Sequence, residues 1–193
     1  MAEERQTRNA ERTRRAVLDA ATRLILEKGT AVTLAEVASV AGVSKGGLIH
    51  HFGSRDQLVI AVVEDMFEQF RSAVLAHLDL SENYPGKMLR AYVRALFAGS
   101  AEAVVARDFT AASNWTGLHA IPAVAAAVNE RNAWWSEQFA ADGLSADLIQ
   151  VVRRAAEGVA AAALQGDEDE ASIAAARRHL LDLATNGTFS APL

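Results

Sequence analysis

Between Glu11 and Lys28 the apolar positions Val17, Leu18, Ala21, Leu24 and Ile25 fall on one helical stripe, which predicts an amphipathic helix over 11–28. Gly29 stops it, with Lys28 in the last turn where a cation suits the helix end. Thr33 and Glu36 form a T-x-x-E capping box ahead of LAEVASVA, so a second short helix starts at Leu34, with Leu34, Val37, Ala38 and Ala41 on its buried side. Gly42 ends that helix. Ser44 then caps a third, KGGLIHHF, in which Leu48 and Phe52 stand four apart. Ser54 and Gln57 repeat the capping-box pattern and open a long fourth helix to about Leu80. SENYPG (81–86) is a break, and the pattern beyond it predicts helices near 87–106, 108–117, 121–141, 145–165 and 169–186. Strand-like alternation and fixed-period repeats are both missing. The expected fold class is all-α: a three-helix head joined by a long helix to a larger helical body.

Composition supports that picture. Of 193 residues, 41 are Ala against 3 Pro and 12 Gly, which favours helix throughout. A chain of this length buries enough surface to fold without staples. With no Cys, disulfides, thiolate nucleophiles and Cys-based zinc sites are excluded. No apolar run approaches the roughly 18 residues of a membrane span, and the charged start MAEERQTRNAERTRR lacks a signal-peptide core. A cytoplasmic protein with no membrane partner is expected. The net charge of −5 hides a division: residues 1–58 carry nine Lys/Arg against seven Asp/Glu, and the remainder ten against seventeen. Only the N-terminal segment, at +2, is suited to face a polyanion.

Two short helices joined by Ala-Gly-Val make a helix-turn-helix, and Gly42 can take the positive φ that turns the chain steeply. If Leu48 and Phe52 are buried, Lys45, Gly46, Ile49 and His50 face outward. Lys45 is a point charge for a phosphate. Gly46 and Gly47 cost about 1 kcal/mol each inside a helix, yet let its backbone come close to a groove. Arg55, in the first turn of the fourth helix, either points into water or joins that helix N-terminus as an anion site. His50 and His51 diverge by about 100° on a helix and have no third ligand in register, so no metal site is expected. The N-terminal arginines form either a solvated tail or a minor-groove arm.

The segment TLAEVASVAGVSKGGLIHHFGSRDQLV (33–59) resembles the helix-turn-helix signature of the tetracycline-repressor (TetR) family of bacterial transcription regulators. Length and the all-helical plan also match that family. The resemblance implies a third helix in the major groove of double-stranded DNA. Lys45 and His50 would then meet backbone or base edges, with Thr33 and Arg55 on phosphates and Ser44, Gly46 and Gly47 at the same surface. Two positions depart from the pattern: Ile49, where Tyr commonly bonds a phosphate, and Gly47, where a small side chain often sits. With one phosphate bond missing, affinity is lower than typical or leans on the Arg-rich arm, and Ile49 is placed to touch a thymine methyl. The implied layout is a helix-turn-helix DNA-binding domain at 1–54, with 1–10 a flexible arm, and an effector-binding and dimerisation domain at 55–193.

Residues 60–193 show no catalytic spacing and no phosphate loop, so neither enzyme activity nor a cofactor is expected. Phe109, Asn114, Trp115, His119, Trp134 and Trp135, with Phe67, Phe70, Tyr92 and Phe97 from earlier helices, read either as core or as the lining of an apolar pocket. The resemblance raises the second reading, an apolar or aromatic small-molecule effector. In the last two helices Leu148, Val152, Ala155, Val159 and Ala163, then Ile173 and Leu180, form stripes that pack either on the body or, as the resemblance implies, against a second copy. The reading is a ligand-responsive regulator, a repressor, binding a near-palindromic operator as a homodimer. Its rivals are an operator-specific regulator or a nucleoid-associated factor with no small-molecule effector.

Overall fold

The computed structural model describes residues 2–99, 102–114, 117 and 121–187. Among them the chain forms nine α-helices and one short 3-10 turn, with no strand, as the sequence pattern predicts. The helices are α1 (Ala2–Lys28), α2 (Leu34–Ala41), α3 (Lys45–Phe52), α4 (Arg55–Ala76), α5 (Lys87–Leu96), α6 (Glu102–Asn114), α7 (Pro122–Ala140), α8 (Ala146–Gln165) and α9 (Glu170–Asn186). Two compact units result: Met1–Asp65 with Trp115–Ala127, and Met66–Asn114 with Val128–Leu193.

In the first unit α1 packs on α2 and α2 on α3. Their core is Val17, Leu18, Ala21, Leu24, Ile25, Val32, Val37, Ala38, Leu48 and Phe52, joined by Leu58, Val59, Val62 and Val63 of α4. Those buried α4 residues explain why the unit runs on to Asp65. The segment expected as a flexible arm, 1–10, is helical from Ala2. Nothing in AEERQTRNA breaks a helix, and the run of good helix formers continues α1 backwards.

The capping chemistry forms largely as read. Thr33 and Glu36 make both bonds of the capping box. Ser44 accepts from the Gly47 N–H at 3.0 Å. Ser54 accepts from the Gln57 N–H at 3.2 Å, but its own N–H goes back to the Phe52 carbonyl, so the reciprocal half of that box is absent. Gly42 sits at φ +68° while the Val43 N–H reaches the Ala38 carbonyl at 3.0 Å, the closure that ends α2 and redirects the chain into α3.

In the second unit α5 is enclosed on nearly all sides, packing on α6, α8 and α9. Arg90 is 1% exposed there. Its Nε donates to Glu82 at 2.9 Å, and Nη1 donates to the carbonyls of Pro85 at 2.7 Å and Ala184 at 2.8 Å. Arg94 bonds the other Glu82 oxygen. Burial pushes the Glu82 carboxyl up, but the bonds from Arg94 and Arg90 outweigh it and hold it below its ordinary value. The tie to α9 also requires a close backbone approach. Gly86, at φ +92°, leaves no room for a Cβ, which would lie 2.4 Å from the Ala184 carbonyl oxygen.

Three helix predictions need correction. The expected helices 87–106 and 108–117 are α5, ending at Leu96, and α6, beginning at Glu102. The Gly99-Ser100 pair is the sequence signal for that break, since Gly is costly inside a helix and Ser competes for its backbone. Helix α4 stops at Ala76 rather than near Leu80.

The two strained glycines differ in a measurable way. Gly42→Ala meets nothing within 4 Å and bears only the left-handed backbone cost of about 1–2 kcal/mol. Gly86→Ala adds the collision with Ala184, so urea unfolding followed by circular dichroism should show roughly twice that loss or more.

Candidate nucleic-acid interface

Burial of Leu48 (0% exposed) and Phe52 (8%) fixes the rotation of α3 about its axis. Lys45, Gly46, Ile49 and His50 are exposed on its opposite side, as the spacing predicts. Gly47 is half-buried and close to its cap: a Cβ there would sit 3.2 Å from the Ser44 Oγ. His50 and His51 are exposed, their rings edge to face at 5.8 Å. Among the described residues no cluster of three or more His or acidic side chains is arranged for a metal. Ile49 (40% exposed) is joined as an exposed large apolar side chain of this unit by Val40 of α2 (47%), which the sequence pattern did not single out. An amphipathic stripe marks the residues that are buried, and an extra apolar residue off the stripe carries no signal of its own.

Two of the expected phosphate ligands are engaged inside the protein. The Thr33 hydroxyl accepts from the Glu36 N–H and donates to a Glu36 carboxylate oxygen at 2.9 Å. Glu36 is further bound by Lys28 at 2.9 Å. Arg55 donates through Nε to the Val32 carbonyl at 3.0 Å and through Nη1 to Asp56 at 3.3 Å, so it staples the start of α4 to the α1–α2 connection.

Several arginines read as a tail or arm are engaged as well. Arg15 makes a bidentate pair with Asp65 of α4, both bonds 2.7 Å, and also bonds Asp19. These carboxylates hold the Arg15 guanidinium above its ordinary value, the Asp65 bond first among the causes, against some loss from burial. Arg14 lies over the Phe52 ring, 5.5 Å from its centre. Arg12 bonds Asn9 at 2.8 Å. No local spacing announces the Arg15–Asp65 pair, whose members are 50 residues apart.

In the second unit the aromatic candidates pack on one another. Phe70 stacks on Phe109 at 3.8 Å and meets Tyr92 edge-on at 5.2 Å; Tyr92 meets Trp135 at 5.1 Å, and Phe67 meets Phe109 at 5.5 Å. All five are at most 7% exposed. Phe97 and Trp134 are half-buried, and Arg71 lies over the Trp134 ring at 5.5 Å. The side chain of Asn114, together with Trp115 and His119, lies outside the described residues.

A cleft of about 400 Å³ lies elsewhere, where the end of α7 meets the start of α8, and none of the ten aromatic-pocket candidates lines it. Periodicity could not reveal it, because it is framed by the loop between two helices.

The expected dimer stripe also divides. Leu148 (4% exposed), Val152 (0%) and Leu180 (6%) are buried in the chain's own core and cannot form a surface for a second copy. Val159, Ala163 and Ile173 are half-buried, and Ala155 is exposed. Val151 (44%) and Leu164 (43%) are exposed apolar side chains of α8. An apolar stripe on an Ala-rich helix is wide enough to serve two neighbours, and its period does not say which.

Comparison with known proteins decides the family. The profile described as "Bacterial regulatory proteins, tetR family" matches residues 17–62, and "Tetracyclin repressor-like, C-terminal domain" matches residues 86–185. The chain belongs to the tetR family. The first match covers α2, α3 and the turn between them; the second runs from Gly86 almost to the end of α9. Among tetR-family relatives, the HTH-type transcriptional regulator BetI of Rhizobium meliloti (strain 1021) is 38% identical over 85 residues, 44% of this chain and 41% of that protein. The match therefore spans about two fifths of that relative's length. A transcriptional regulator from Rhodococcus sp. RHA1 shares the fold with a TM-score of 0.71 at 18% identity, over 95% of this chain and 99% of that one. The multidrug binding protein EbrR, complexed with ethidium, does so with a TM-score of 0.61 at 23% identity, over 89% and 98%.

The tetR-family turn carries an acid-sensitive element. The Lys28 bond, then the bonds from Thr33, lower the Glu36 carboxyl from 4.5 to about 2. A depressed folded value means this contribution is complete above the unfolded value and lost as pH falls from 4.5 toward about 2. Acid unfolding of Glu36→Gln should be flatter than wild type in that window; matching curves would show that the carboxylate does not stabilise α2.

Proposed function

We propose that the chain is a DNA-binding transcription regulator, a repressor that holds a near-palindromic operator as a homodimer and responds to a small molecule. The observation that carries this is the outward face of α3, with Lys45, Gly46, Ile49 and His50 displayed together on a helix seated by Leu48 and Phe52. An α-helix presented this way matches the width of the major groove. Residues 1–54 form the DNA-binding domain in this reading and 55–193 the effector-binding and dimerisation domain. Lys45 meets a phosphate, Gly46 permits close approach, and His50 reaches base edges or backbone. Ile49 offers its side chain to a thymine methyl. Ser44 and Gly47 act at the same surface through the helix start. Thr33 and Arg55 approach phosphates only where their internal bonds are shared or exchanged. The protein acts by binding rather than by catalysis, in the cytoplasm.

EbrR is complexed with ethidium, and a small-molecule effector in the body is the corresponding proposal here. Helix α4 runs through both compact units, so an effector that favours the state with weaker DNA affinity has a continuous element to act on. For the dimer, the exposed Val151, Ala155 and Gly158, continued by the half-buried Ala162, recur along one face of α8. Small side chains there allow close helix packing.

Lys45→Ala should weaken binding to every duplex and lower the dependence of log K on log salt by about one unit. An unchanged slope in fluorescence-anisotropy titrations would mean that Lys45 meets no phosphate. Joint replacement Val151→Glu and Ala155→Glu should give a monomer by sedimentation; a persisting dimer would place the interface on another face.

A further inference from the structure

The cleft beside α7 and α8 combines apolar and cationic side chains. Its inner wall is apolar, with Phe139 (1% exposed), Leu144 and Ile149. Arg153 and Arg154 also line it, with the neutral Ser136 and Gln150, and no carboxylate is among its lining residues. Residues 59–193 bear seven more acidic than basic groups, which makes two adjacent arginines at a cavity notable. At about 400 Å³ it lies within the range of small-molecule sites.

Arg153 is held firmly. Its side chain is 10% exposed, its Nε donates to Glu157 at 2.8 Å, and its Nη2 donates to Asn132 Oδ1 at 3.0 Å. It also lies over the Phe139 ring, 5.6 Å from its centre. Arg154 is 65% exposed and reaches the second oxygen of Glu157 at 2.7 Å. Glu157 thus neutralises one of the two guanidinium charges, leaving a net positive end beside an apolar wall. That carboxylate also accepts the Tyr92 hydroxyl at 2.8 Å, so the same group that pairs with the cleft arginines is anchored to α5 in the core.

We propose that this cleft binds an amphipathic organic acid, with its apolar portion against Phe139, Leu144 and Ile149 and its carboxylate on Arg154 and Arg153. A guanidinium fork recognises a carboxylate with two parallel bonds, and an adjoining apolar wall selects for the ligand's body. A bound carboxylate draws Arg154 away from Glu157, the same group that accepts the Tyr92 hydroxyl of α5. This rests on the reading of the body as effector-binding and names the chemical class of the effector.

Calorimetric titration of the full chain with 4-phenylbutyrate and with octanoate tests it, each paired with the corresponding neutral alcohol. The acids should bind with one site per chain and at least about tenfold more tightly than the alcohols, the scale of one charge-assisted bond. Arg154→Gln, an exposed and well-tolerated change, should remove that preference. Ala140→Trp, which fills the cleft from its surface, should abolish binding while leaving the thermal melting curve unchanged. Failure of both acids to bind below about 1 mM, equal affinity for acid and alcohol, or binding indifferent to both variants would overturn the proposal. Anisotropy on duplex DNA, run without ligand, separates the two claims. A chain that binds DNA but neither acid loses the cleft alone, whereas one that binds no DNA loses the regulator reading.

Discussion

Burial of two side chains, Leu48 and Phe52, sets the terms for the displayed face of the helix-turn-helix. They lie four apart on an eight-residue helix, too short to be stable alone, so α3 exists because these two positions are anchored in the core of the first unit. Once they are inside, the residues between them have no choice of face. Gly42 provides the sharp exit from α2, Ser44 satisfies the first turn of α3, and Arg14 lies over the Phe52 ring. Arg55 ties the α1–α2 connection to α4. The displayed surface is therefore fixed by packing before any nucleic acid arrives, which lowers the ordering cost of binding.

Charge explains why that surface must work through shape as well as attraction. The first 58 residues carry only two more basic than acidic groups, and Arg15 is spent on Asp65 and Asp19. Non-specific affinity for a polyanion scales with the cations free to neutralise it, so in the proposed role a weakly basic head would depend on contacts specific to its site. The acidic excess belongs to the other segment. There Glu82 is matched by Arg90 and Arg94, and Glu157 by Arg153 and Arg154.

Local chemistry was legible in the sequence, and long-range partnership was not. Thr33 with Glu36, Ser44 before KGGLIHHF, and Gly42 announce α2, α3 and the turn because a cap or a left-handed residue acts within a few positions of itself. The outward set on α3 followed from the same short spacing. By contrast, Arg15 with Asp65 and Arg90 with the Ala184 carbonyl join segments 50 and 94 residues apart, and no periodicity encodes such pairs. The aromatic residues were visible as a group, but their mutual stacking depends on which faces α4, α5, α6 and α7 turn toward one another. The stripe on α8 misled for a related reason: Leu148 and Val152 serve the chain's own core, while Val151, one position before Val152, and Ala155, three after it, lie outside. A shift of one residue on a helix is about 100°.

Selection of duplexes from a random pool by the full chain, followed by hydroxyl-radical footprinting of the recovered sequences, tests the central claim most directly. The account predicts a two-fold-related motif with two protected half-sites about one helical turn, ~34–36 Å, apart on one face of the duplex. Recovery of no preferred sequence, or protection spread evenly along the DNA, would contradict it.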